Sequence, residues 1–222
     1  MKKINKKEVD KFVADSTLLL GNEDRPGIIL TSNDRIGKFF YKRKFISTST
    51  FIPQAVRFLK NSKALVEANV RGPQVDDIVF CPDIPAHIVF YDRIKGTDLR
   101  ELCAREGADI LRLLPSYLSH LHNTGIYFRA IHLGNVIRCE DFSLALVDIS
   151  DLYVRRFPLS ISRRVRNLVH LIDTSEDIGF FEGYGLEKFI DEYNSCSALS
   201  LQDQEKLKKK FFARSNFKSR IK

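Results

Sequence analysis

No stretch of this 222-residue chain approaches the roughly 18 consecutive apolar residues that a membrane-spanning helix needs. The N-terminus, MKKINKKEVDK, is basic but leads into no apolar segment, so a secretory signal is not expected. Cysteine is sparse. Cys81, Cys103, Cys139 and Cys196 are scattered with no C-x-x-C, which argues against a zinc site or a disulfide framework and for a reducing, cytoplasmic setting. Gly 11 and Pro 7 are too few for a collagen-like or disordered chain, and internal repeats and low-complexity linkers are absent. With 44% hydrophobic and 29% charged residues the composition is that of a folded protein, long enough for one large domain or two small lobes.

Positive charge is plentiful but unevenly placed. Residues 205–222 hold eight basic residues and one Glu, so almost all of the formal +8 sits in the C-terminal segment and the body is near neutral. A bulk-charge argument for nucleic-acid binding therefore fails, no readout motif is present, and a nucleic-acid partner is not expected. The segment 205–222 mixes its cations with Phe211, Phe212 and Phe217. It could lie on an anionic inner-membrane surface, each cation adding about 1 kcal/mol, or form a helix docked by Leu207 and Phe211 with a solvated end. A second basic cluster, RRFPLSISRRVR at 155–166, contains Arg155, Arg156, Arg163, Arg164 and Arg166 and no acid. Guanidinium forks match phosphate and carboxylate geometry, so these arginines either meet an anionic substrate or line an exposed helix.

Hydrophobic patterning gives a β-rich first half and a helical second half. Ser16 to Leu20, GIIL and IGKFFYKRKFI read as strands separated by the turns GNEDRPG and SNDR. A helix opens near Pro53, with Ala55, Phe58, Leu59, Leu65 and Val66 at helical spacing. DDIVFCPDIPAHIVFYD returns to strand character. TDLRELCAREG reads as a short helix that Thr97 could cap, and ADILRLLPSYLSHLHNTG as a longer one ended by Gly125. IYFRAIHLGNVI and LALVDIS flank the acidic turn CEDFS, and the remainder is helical and Arg-rich. The expected class is α+β.

The informative stretch is 121–151, LHNTGIYFRAIHLGNVIRCEDFSLALVDISD. Here the chain resembles the protein-kinase-like superfamily, and more closely the bacterial lipopolysaccharide core kinase group of Kdo and heptose kinases and toluene tolerance proteins. Phe128-Arg129-Ala130-Ile131-His132-Leu133-Gly134-Asn135 falls in the register of the kinase catalytic loop, and Leu146-Val147-Asp148-Ile149-Ser150 in the place of the D-F-G element. The resemblance implies a two-lobed kinase-like fold, with an N-lobe at 1–90, a C-lobe at 91–204 and a basic aromatic tail at 205–222. It implies ATP and Mg²⁺ as cofactors, with Asn135 and Asp148 as metal ligands, because phosphoryl transfer needs ions held by oxygen ligands on rigid backbone. Lys42 matches the strand lysine that reaches nucleotide phosphates, with Lys44 on the same face by alternation. The segment Phe90 to Gly96, with Tyr91 and Asp92, looks like the hinge where adenine bonds the backbone. Turn chemistry, capping and solvent exposure are the ordinary alternatives for these residues.

Four departures from the pattern stand out. Ala130 occupies the place of the catalytic Asp, and GNEDRPG supplies no G-x-G-x-x-G and sets Glu23 and Asp24 where phosphates would lie. The helix after Pro53 carries only Glu67, at its far end, and Ile149-Ser150 replaces Phe-Gly. A general base contributes roughly 10²- to 10⁴-fold, whereas phosphoryl transfer rests mainly on positioning and charge, so Ala130 does not by itself abolish activity. His132, with an ordinary pKa of about 6.5, and Asp151 are the candidate substitutes for the base. Two functions follow. One is an ATP-dependent phosphotransferase acting on a lipopolysaccharide core sugar or related anionic glycan or glycolipid, with Arg155, Arg156 and Arg163 meeting the acceptor. The other is a pseudokinase that binds nucleotide or a protein partner without transfer. Either would work in the cytoplasm, the first at the inner membrane.

Overall fold

The computed structural model describes residues 2–42 and 53–214. Lys44, residues 215–222 and the last part of the expected strand IGKFFYKRKFI lie outside the described residues. Two compact units result, Met1–Ile94 and Lys95–Lys222.

The first unit opens with β1 (Lys2–Lys3) and α1 (Lys6–Ala14), and continues through β2 (Ser16–Gly21), β3 (Pro26–Thr31) and β4 (Arg35–Tyr41). It closes with α2 (Gln54–Glu67), β5 (Val75–Cys81) and β6 (Ala86–Asp92). The strands form one six-stranded sheet in the order β1-β5-β6-β4-β3-β2. Only β1 runs parallel to its neighbour, so the sheet is mixed. Alternation along β4 and β6 sorts their side chains onto two faces. Phe39, Ile88 and Phe90 join Ile4, Val9, Ile29 and Val79 on one face, where Phe12 of α1 meets Phe90 with ring centroids 5.8 Å apart. Phe40 and Tyr91 take the other face, and Phe58 of α2 fills it at 5.6 and 5.7 Å. Val66, expected on the apolar stripe of α2, is instead exposed at the helix end.

Nothing in the hydrophobic pattern above anticipates α1, yet its signal is local. Asn5 Oδ1 accepts from the Glu8 N–H, and the Glu8 carboxylate accepts from the Asn5 N–H, a reciprocal cap that satisfies two otherwise orphaned donors. The β2–β3 connection is also self-contained. Asn22 and Arg25 exchange backbone hydrogen bonds, Asn22 Oδ1 accepts from the Arg25 N–H at 2.8 Å, and Gly21 at φ +95° turns the chain. GNEDRPG is therefore a closed hairpin turn with Glu23 and Asp24 exposed at its tip.

The second unit begins with β7 (Gly96–Asp98), α3 (Leu99–Glu106), a 3-10 segment (Ala108–Leu113) and α4 (Leu114–Asn123). There follow β8 (Ile126–Phe128), β9 (Val136–Cys139), β10 (Leu144–Leu146) and β11 (Leu152–Val154), with 3-10 turns at Leu133–Asn135 and Ile149–Asp151. Helices α5 (Ile161–Ile172), α6 (Ile178–Tyr184), α7 (Leu186–Cys196) and α8 (Leu201–Arg214) complete it. The short strands make a three-stranded sheet, β10-β9-β7, and a two-stranded ribbon, β11-β8. Two local expectations are corrected. The cap of α3 is Asp98, whose Oδ1 accepts from the Glu101 N–H at 2.9 Å, while Thr97 lies in β7. The helix expected over ADILRLLPSYLSHLHN divides at Leu114, where Pro115 fits the first turn of α4. Residues 205–214 follow the docked-helix alternative: they belong to α8, with Leu207 and Phe211 fully buried and Lys208 paired with Glu187 and Asp191 of α7.

No helix among the described residues is long and apolar enough to cross a membrane.

Candidate functional site

The chain from Phe128 to Asp148 is held from beneath by buried polar groups. Asp177, fully buried at the start of α6, receives the Leu133 N–H at 2.8 Å on Oδ2. The same carboxylate takes Arg100 of α3 through Nε at 2.6 Å and Nη2 at 3.3 Å. Arg100 also pairs with Glu176 at 2.5 Å and donates from Nη2 toward His132 Nδ1 at 3.3 Å. One buried carboxylate thus fixes loop backbone and orients a guanidinium that in turn holds the imidazole. A second network lies under β8. Asn167 of α5 donates from Nδ2 to the Phe128 carbonyl at 2.7 Å, which leaves its Oδ1 to accept from His122 Nε2 at 3.0 Å. His122 Nδ1 then accepts from the Tyr193 hydroxyl at 2.8 Å, and that hydroxyl accepts from Arg164 Nη1 at 2.9 Å. Arg164, only 2% exposed, spends its other donors on the Leu159 carbonyl and Asn123 Oδ1. It is a core residue, so the arginine cluster read from the sequence is not one surface.

Asn135 and Asp148 are brought close by the β9–β10 hairpin. Its register pairs Val136 with Leu146, and the Val147 N–H to Asn135 carbonyl bond of 3.0 Å extends the ladder by one step. Asp148 is the next residue. Asn135 is largely buried and donates from Nδ2 to the Ala130 carbonyl at 2.8 Å, which turns Oδ1 into the atom able to take a cation. Asp148 is exposed and adopts the left-handed region, φ 49° and ψ 47°, where Asp is tolerated at a small cost and which recurs at functional sites. An amide oxygen and a carboxylate are hard donors, which suits Mg²⁺. Among the described residues no group of three or more His, Cys, Asp or Glu gathers into a metal cluster.

His132 sits over Arg100 with its Nδ1 lone pair directed at a guanidinium donor. Burial, then the Arg100 charge, holds the imidazole below its ordinary pKa, so it is neutral at pH 7 and its basic nitrogen is already engaged. Asp151 ends the 3-10 turn after Asp148, and its carbonyl accepts from the Arg129 N–H at 3.1 Å. That bond continues the β8–β11 ladder and sets Asp151 opposite Arg129 on the ribbon.

Arg155 and Arg163 line one pocket of about 270 Å³ together with Tyr127, Arg129, Tyr153 and Arg166. Arg156 does not line it; its guanidinium lies over the Phe157 ring at 5.8 Å. The strand alternation Tyr127, Arg129 and Tyr153, Arg155, and the i, i+3 spacing of Arg163 and Arg166, were the legible signals for this grouping. The buried anchor Asp177 had none.

In the first unit Lys42 follows the end of β4, exposed, with its N–H bonded to the Pro85 carbonyl at 2.9 Å. Tyr91 is buried against Phe58, and Asp92 pairs with Arg35 at 3.6 Å. The β4–β6 register runs from Tyr41 opposite Ala86 to Arg35 opposite Asp92. Lys42 and the Tyr91–Asp92 pair therefore stand at opposite ends, about 20 Å apart at roughly 3.4 Å per residue. Lys38 shares the α2-facing side of β4 with Lys42, stands opposite Val89, and places its ammonium 5.8 and 5.6 Å from the Phe40 and Phe58 rings. Lys38 is not among the residues that the kinase motif singles out.

These features define a protein-kinase-like α+β fold, with a mixed six-stranded sheet in the first unit and a mostly helical second unit. The comparison with solved structures supports it: the chain matches WbdD co-crystallised with the kinase inhibitor LY294002 at TM-score 0.51 and 15% identity, over 87% of this chain and 45% of that one. A second WbdD structure, described as a bifunctional kinase-methyltransferase, aligns at TM-score 0.48 and 14% identity over 83% of this chain and 47% of that one. The chain spans less than half the length of these structures. No protein-family model and no curated protein sequence matches it.

Proposed function

We propose that the chain binds Mg²⁺-ATP and acts as a phosphotransferase on an anionic sugar or glycolipid of the lipopolysaccharide-core type. The observation that carries this reading is the hairpin geometry that sets Asn135 beside Val147 and Asp148, on a loop whose backbone is fixed by Asp177. In this reading Asn135 Oδ1 and the Asp148 carboxylate hold Mg²⁺, which when bound neutralises charge on the nucleotide phosphates. In the first unit Lys42 is the phosphate lysine of the motif, and Lys38 is the lysine whose register brings it nearer Tyr91 and Asp92. With the His132 lone pair given to Arg100, Asp151 is the better candidate to accept the proton of an acceptor hydroxyl.

Ala130 favours a second reading. Its side chain can accept no proton, and its carbonyl is taken by Asn135 Nδ2, so a pseudokinase that binds nucleotide without transfer uses the same fold. Calorimetry of ATP with and without Mg²⁺, on the wild type and on Asp148→Ala, tests both readings at once. Metal-dependent binding that the variant loses supports the nucleotide site, after which turnover with candidate acceptors separates kinase from pseudokinase. A well-folded wild type that binds no Mg²⁺-ATP overturns the kinase reading.

A further inference from the structure

We propose that the outward face of the β8–β11 ribbon, closed on one side by α5, binds a phosphorylated sugar, a carbohydrate that arrives already carrying a phosphomonoester. The inference rests on the sugar-directed reading above and names what the second unit recognises.

The pocket is a product of two periodicities. In the ribbon Ile126, Phe128 and Leu152 are buried, so the alternate positions point outward. Tyr127 stands directly opposite Tyr153, and the bonds Arg155 N–H to Gly125 carbonyl and Arg129 N–H to Asp151 carbonyl carry the register one step each way. Arg129 and Arg155 therefore project on the same face as the two tyrosines. On α5, Arg164, Val165, Asn167 and Leu168 are buried, which turns Arg163 and Arg166 outward on a single stripe. All six outward residues line the one pocket of about 270 Å³.

Its charge is only partly compensated. None of the four lining arginines forms an ion pair with a carboxylate among the described residues; Arg129 only reaches the Tyr153 hydroxyl, at 3.5 Å. Asp151, across from Arg129, offsets part of the charge and leaves a cationic excess. Four arginines line one small volume, and a phosphomonoester brings about −1.5 to −2 charge with oxygens spaced for bidentate forks. An inorganic anion would use the arginines alone. Tyr127 and Tyr153, opposite each other in the ribbon, add aromatic surface and hydroxyls to the lining, and a sugar ring can cover such a ring with its C–H face while its hydroxyls find partners. The volume is just below the roughly 300 Å³ at which drug-sized pockets begin, which suits one monosaccharide unit.

The test is calorimetry without nucleotide, using a hexose 6-phosphate, the same hexose unphosphorylated, and inorganic phosphate. The expected order is hexose phosphate first, inorganic phosphate about tenfold weaker, and no measurable binding of the hexose. Arg163→Gln with Arg166→Gln, both exposed and checked for an unchanged thermal melt, should weaken hexose phosphate binding by about a hundredfold. Tyr153→Ala should weaken the hexose phosphate and leave inorganic phosphate unchanged. Equal affinity for phosphate and hexose phosphate, wild-type affinity in the double arginine variant, or tighter binding of a phosphotyrosine peptide than of the sugar would each overturn the proposal. Mg²⁺-ATP binding through Asp148 is read separately. A protein that binds nucleotide but no hexose phosphate loses this inference and keeps the kinase reading, and the opposite result does the reverse.

Discussion

His122 makes the sharpest thermodynamic prediction. The imidazole is fully buried, between Tyr193 and Asn167 and near the buried Arg164 charge. Burial first, and the Arg164 charge after it, push its pKa down to about 3, against the Asn167 hydrogen bond, which favours the protonated ring. In the unfolded chain the same group titrates near 6.5, so below that pH the unfolded state binds a proton that the folded state refuses. Stability is therefore lost as pH falls below about 6.5, at roughly 1.4 kcal/mol per unit, and levels off only below the folded value. The loss from this one residue is about 2 kcal/mol at pH 5 and about 3 kcal/mol at pH 4. His87 and His132 are also shifted down and steepen the same limb, so the informative comparison is with His122→Gln. A glutamine amide can still donate to Asn167 and accept from Tyr193, but it does not titrate. Urea unfolding followed by circular dichroism at half-unit steps from pH 7.5 to 4.5 should give the wild type a steeper loss than the variant by about one proton's worth of slope. Parallel slopes would refute the neutral, desolvated His122 and the hydrogen-bond directions drawn from it.

Three further outcomes follow from the geometry. Asp177→Asn, which removes the charge facing Arg100 and weakens the hold on the Leu133 N–H, should cost about 3 kcal/mol in urea unfolding and shift the NMR resonances of the His132 ring. Unchanged His132 resonances would count against its role as anchor. Gly125→Ala meets both a left-handed backbone, φ +80°, and a Cβ only 2.3 Å from the Arg155 carbonyl. It should destabilise by about 3 kcal/mol and raise amide exchange along β8 and β11, whereas a wild-type midpoint would show that the ribbon closes differently. Asn5→Ala breaks the reciprocal cap of α1 and should cost about 1 kcal/mol, recovered in large part by Asn5→Ser. No change in midpoint for the alanine variant would mean that α1 does not depend on its cap.

The sequence by itself determined the element types wherever a period was long enough to read. Strands β2 to β6, the helix after Pro53 and the helix-loop-hairpin order around Asn135 and Asp148 all follow from alternation, helical spacing and turn residues within a few positions of each other. Helix α1 was also written locally, in Asn5 and Glu8, although its short apolar stripe hides it from a search for long periods. Local rules failed where two candidates competed for one job: Thr97 and Asp98 both suit a cap, and only the start of α3 at Leu99, with the Glu101 N–H bonded to Asp98 Oδ1, assigns the cap to Asp98.

Tertiary structure decided which polar residues face inward. Arg164 and Arg163 are neighbours in the same basic run, yet one is sealed in the core by Tyr193 and Asn123 and the other lines the pocket, because a helix turns about 100° per residue and only one face of α5 meets the body of the unit. The same holds for Asp177. It is an unremarkable acid in the run DTSEDIG, and it acquires its part only because the fold carries α3 and the loop at Leu133 to within hydrogen-bonding distance of it, across 77 and 44 residues of sequence. Long-range convergence of this kind leaves no local signature, since the residues that define it are chosen by packing and not by their neighbours in the chain.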